Sequence, residues 1–149
     1  MCQAIRFTIN DHLITVKLTD SNPCVPVIMR SGNIMLMPWG NPSGLIPLFP
    51  PGGTLHRDHV IQGKWKAFEP KPIKILCQSY MLTNSSGNEC WINCTDKNQL
   101  GIKGATATVW KSERAYILIR QPEILDPIEH TEWPIQIGFS NYINPKNSK

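Results

Sequence analysis

No apolar run in this chain reaches the ~20 residues that a membrane-spanning helix needs. The N-terminus lacks the basic stretch followed by an apolar one that marks a secretory signal. Charge is sparse, with Asp, Glu, Lys and Arg making up 17% of the 149 residues. That is too little for a disordered polyelectrolyte, and the 41% hydrophobic share is that of one globular domain with a real core. Acids are fewer than bases, 11 against 15, and the formal net charge is +4. This permits a polyanionic partner without requiring one. A second pair of closely spaced cysteines is missing, so Cys90 and Cys94 stand without the partners a structural zinc site usually has. They alternate with Ile92 as half-buried strand residues do. The five cysteines are odd in number, which fits free thiols in a reducing cytoplasm better than a disulfide framework. Long helices are disfavoured by thirteen prolines and ten glycines.

What remains is a chain of short strands and turns. Residues 4–9 and 13–18 read as a hairpin around Asn10-Asp11. Short strands follow at 27–29 and 34–37. Two loops rich in proline and glycine, 38–44 and 49–53, are too irregular for helix or strand and are expected to shape a surface. Residues 56–65 read as a short helix with Thr54 as N-cap. Residues 73–81 read as one buried strand, and 84–88 as a hairpin turn into 89–94. Strands are expected at 105–110 and 115–119, around a turn at 112–114. A short helix at 122–129, a last strand at 133–139 and a polar tail at 141–149 complete the chain. The reading is a single α+β domain over residues 1–140, dominated by an antiparallel or mixed sheet that curls toward a barrel.

The first three residues, Met1-Cys2-Gln3, carry the most chemistry. Removal of Met1 would leave Cys2 with a free α-amine beside its thiol. The amine titrates near pH ~8, so part of it is neutral at pH 7. The thiolate is a strong nucleophile. Such an aminothiol can capture an aldehyde as an imine and close a thiazolidine ring, or attack an acyl carbon.

Further along stand Met37-Pro38-Trp39-Gly40-Asn41, Gly63-Lys64-Trp65, Lys71-Pro72-Ile73-Lys74-Ile75, Gly101-Ile102-Lys103-Gly104 and His130-Thr131-Glu132-Trp133-Pro134-Ile135. In this order, behind a Met-Cys start, they resemble the SOS-response-associated peptidase (SRAP) family, in a short and divergent form spanning residues 1–139. The resemblance implies a protein of the DNA damage response that binds single-stranded DNA and crosslinks to abasic sites through Cys2. His130 matches the family's histidine and would move protons. Trp39, Gly40, Asn41, Arg57, Lys64 and Lys74 would contact the DNA, with Trp39 as a stacking platform. No cofactor or metal is implied. The expected partner is single-stranded or abasic DNA rather than a membrane, and the expected protein is a cytoplasmic monomer, nucleoid-associated in a bacterial host.

Two departures weigh against catalysis. The family's arginine two places after the histidine is Glu132 here, and an acid repels phosphate. The family's catalytic glutamate falls at Leu82, which cannot handle a proton. His56, Asp58 and His59 stand near the position of the family's asparagine; they are read as polar residues on an exposed helix face rather than as an altered site. Alternatives are a degenerate SRAP-like binder and an N-terminal-nucleophile peptidase acting on its own leader.

Overall fold

A computed structural model describes residues 2–42, 44, 46–83, 86–94, 101–121 and 133–137. Two sheets carry the fold. The first has the strand order β2-β1-β7-β8, from β1 (Cys2–Ile9), β2 (His12–Lys17), β7 (Ser79–Thr83) and β8 (Glu89–Asn93). The second follows the order β11-β10-β9-β6-β3-β4, with β3 (Cys24–Ile28), β4 (Ile34–Pro38), β6 (Pro72–Ile75), β9 (Ile102–Val109), β10 (Ser112–Arg120) and β11 (Trp133–Pro134). Strand β5 (Thr54–His56) pairs with β10 in parallel, and the other strand pairs are antiparallel.

Strands and isolated bridges account for 56% of the described residues. Among the described residues the helices are α1 (Arg57–Ile61) and one 3-10 turn at Lys66–Phe68. The sheet-rich single domain is as expected. The helical share is smaller than an α+β reading implies, and the sheets do not close into a barrel.

Local chemistry explains the main turns. Asn10 and Asp11 hold φ of 52° and 65°, the left-handed conformation that Asn and Asp tolerate best and that a two-residue hairpin demands. Trp110 turns β9 into β10 at φ 59°, so the turn lies ahead of the expected 112–114, which is already strand. The expected strand 73–81 divides into β6 and β7, which belong to different sheets. Leu76 to Gln78 make the crossing: the Leu76 amide bonds to Pro26 of the second sheet, and the Gln78 amide to Arg6 of the first.

The main core lies between the sheets. Ile5, Phe7, Val25, Val27, Trp39, Ile75, Tyr80, Leu82, Ile102, Ile117 and Trp133 are buried there. Each large side chain so buried contributes about 1.5–3 kcal/mol. A smaller cluster of Phe49, Leu55, Ala107 and Tyr116 packs beneath the loop that follows β4. The expected helix at 122–129 and the tail at 141–149 lie outside the described residues, as do residues 138 and 139 of the expected last strand.

Candidate functional site

Cys2 opens β1 and faces Leu82 of β7 on the same rung, with a register break between Cys2 and Ala4. Both side chains are 0% exposed. The thiol leans on the Ala4 carbonyl at 3.7 Å, a weak contact. Burial is the largest influence on it and pushes its pKa from 9.0 up to about 12. The charged groups acting on it are the chain's amino terminus and Cys94; among the described residues no carboxylate or imidazole does so.

A wall of soft and phenolic groups surrounds it. Cys77, Tyr80 and Leu82 are buried with Cys2 in the same cluster, and Cys94 packs against it. The Cys77 thiol donates to the Ser79 carbonyl at 3.2 Å. Cys77 and Cys94 act on each other, raising the former's pKa and lowering the latter's, and burial pushes Cys77 up further. Burial also pushes the Tyr80 hydroxyl up, against a hydrogen bond from the Gln136 amide at 3.3 Å. Gln136 reaches this position because it bridges Ile102 of β9. Residues 133–137 therefore reach the same wall as Cys2 through Gln136. His130 and Glu132 themselves lie outside the described residues.

Trp39 is 0% exposed, and its indole N–H donates to the Gly53 carbonyl at 3.0 Å. This does not match the expected stacking platform: the ring is part of the core and turns no face to a base. Asn41 is 2% exposed and holds its own loop together. Its amide donates to the Ile46 and Phe49 carbonyls at 2.9 and 3.2 Å and accepts from the Ile46 amide at 3.1 Å. Gly40 stands at φ 56°, and a Cβ there would meet the Gly52 carbonyl oxygen. Its carbonyl accepts from the Arg114 guanidinium. The 38–44 loop is thus irregular, as expected, but residues 39–41 are bonded inward. The pattern of Pro and Gly marks the loop and not which way its side chains turn.

Arg57 and Lys64 are exposed, on and just after α1, which packs against β5 and β10 of the second sheet. Arg57 lies 3.6 Å from the Asp58 carboxylate, and the Lys64 ammonium sits 5.3 Å over the Trp65 ring. His56, and not Thr54, caps α1: its Nδ1 accepts from the Asp58 amide at 3.2 Å. Its ring is 5.0 Å from that of His59, and its Nε2 meets the Gln121 amide at 3.2 Å. Among the described residues no group of His, Cys, Asp and Glu is arranged to hold a metal. Lys74 lies exposed on β6.

Sequence reasoning missed Cys77, Tyr80, Cys94 and Gln136 as neighbours of Cys2. The pairing of β1 with β7 and of β7 with β8 brings the first three together, and the bridge to Ile102 of β9 brings Gln136 to Tyr80. No protein-family model matches this chain, and neither a curated protein nor a solved structure matches it. No helix among the described residues is long and apolar enough to cross a membrane.

Proposed function

We propose that this protein is a SRAP-like domain that binds single-stranded DNA and captures abasic-site aldehydes through Cys2, slowly for want of an acid at position 82. One relation carries the reading. The resemblance assigns the nucleophile to residue 2 and the glutamate to residue 82, far apart in sequence, and these two residues are direct partners across β1 and β7.

The chemistry follows from a Cys2 freed of Met1. Its neutral amine adds to the aldehyde carbon and water leaves, giving an imine. The thiol then adds across the C=N bond: sulfur bonds to carbon and its proton passes to nitrogen, closing a thiazolidine. A positioned acid and base would speed both steps, typically by about 10²–10⁴-fold. Leu82 supplies neither, and Cys2 must give up a proton from a buried thiol.

The second reading is a binder without capture, favoured by the complete burial of the Cys2 thiol. An oligonucleotide with one abasic site decides between them on a denaturing gel, once intact mass has shown that Met1 is absent. A band that survives denaturation in wild type and is lost in Cys2→Ser supports capture. Binding under native conditions without such a band leaves the second reading.

A further inference from the structure

An open groove of about 820 Å³ crosses the second sheet where β3, β6 and β9 lie side by side. Its floor on the lysine face is aliphatic, from Ile28, Pro72 and Leu118, and its charged residues are Arg30, Lys74 and Lys103. Among the described lining residues there is no acid.

The lysines are not placed independently. Lys74 and Lys103 are register partners across β6 and β9, and Lys74 also pairs with Ile28 of β3. Residues on one rung project to one face, with Cβ atoms about 4.5–5.5 Å apart across an antiparallel pair. Two like charges directly opposite each other destabilise a sheet. Among the described residues, neither lysine nor Arg30 has an ion-pair partner. The next rung, Val27, Ile75 and Ile102, faces the other way into the core that holds Cys2.

We infer that this groove binds the phosphate backbone of a single-stranded nucleic acid, on the face of the sheet opposite Cys2. The inference rests on the reading of the protein as a single-strand binder, and it adds a second contact surface independent of the capture chemistry. The occupant follows from the pairing of groups. Two lysines paired across adjacent strands, with Arg30 in the turn after β3, match a chain of phosphates, and the aliphatic floor between them takes sugar and base faces. A lone phosphate would leave that floor bare. The floor offers no aromatic ring, so binding there is tolerant of sequence and governed by salt.

The test is a titration of a fluorescent oligothymidine at several salt concentrations, with wild type, Lys74→Gln/Lys103→Gln and Lys74→Arg/Lys103→Arg. The Gln variant removes a repulsion at exposed positions, so its melting temperature is expected to stay level or rise. Each phosphate contact contributes about −0.7 to the slope of log affinity against log salt on single strands, so the Gln variant should lose about 1.4 of slope. Its affinity at low salt should fall at least tenfold, and the Arg variant should bind as wild type does. A Gln variant with wild-type affinity and slope would overturn the inference and leave DNA binding by the protein intact. Failure of wild type to bind at all would overturn both. Binding of tripolyphosphate without binding of the oligonucleotide would overturn the assignment of the occupant.

Discussion

Cys2 and Leu82 stand opposite each other on β1 and β7, both without solvent exposure, in a core cluster that also holds Cys77 and Tyr80 and packs against Cys94. On the proposed reading, the nucleophile thus shares its rung with an inert aliphatic side chain. Burial is the main cause of the thiol's raised pKa.

Thiol labelling should divide the five cysteines. Cys24, Cys90 and Cys94 are partly exposed, whereas Cys2 and Cys77 are buried. Brief iodoacetamide treatment of the native protein, read by peptide mass spectrometry, should modify the first three and spare the last two. Cys94 should lead, because its interaction with Cys77 lowers its pKa. Rapid native labelling of Cys2 would contradict its burial.

Stability should fall in alkali. The folded state keeps the Cys2 proton up to about pH 12, while the unfolded chain releases it near 9. Between those values the native state binds more protons, so rising pH favours unfolding by about 1.4 kcal/mol per pH unit for this group. Below that window the contribution is fully present. Cys77, Tyr80 and Tyr116 are shifted in the same direction and steepen the fall. Urea melts from pH 8 upward should show it, and Cys2→Ala should flatten part of the slope.

Trp39→Ala should cost about 3–5 kcal/mol, the range for emptying a large aromatic site in a core. Asn41→Ala should cost about 2–4 kcal/mol, because it strands the Ile46 amide and two carbonyls. Chemical melts measure both. Where the variants remain folded, DNA affinity should follow wild type, which separates this structural role from the stacking role expected of Trp39.

The hairpin of β1 and β2 was legible because Asn10-Asp11 states its turn chemistry locally and the flanking residues alternate. The strands β9 and β10 were legible for similar reasons, apart from a turn shifted onto Trp110. The division of 73–81 was not. Both halves are apolar, and only their partners, Pro26 for one and Arg6 for the other, assign them to different sheets. The pairing of residues 2 and 82 was not legible, since no periodicity in the chain connects them; the resemblance assigned both to one site without pairing them. The inward turn of Trp39 was hidden because an aromatic beside Pro and Gly suits a loop base and a binding platform equally. The thiol wall was hidden because cysteines in strand-like alternation look like ordinary core.

The central claim, that Cys2 captures aldehydes and is slowed by the residue across from it, is tested most directly by the rate of adduct formation with an abasic oligonucleotide. The measurement compares wild type, Leu82→Glu and Leu82→Gln, each verified by mass to begin at Cys2 and by melting to be folded. The account predicts a slow denaturation-resistant adduct in wild type and a rate raised about 10²-fold or more in Leu82→Glu. Leu82→Gln, similar in size but unable to carry a proton, should stay near wild type. No adduct from wild type or from folded Leu82→Glu would contradict the account, as would equal acceleration by Glu and Gln.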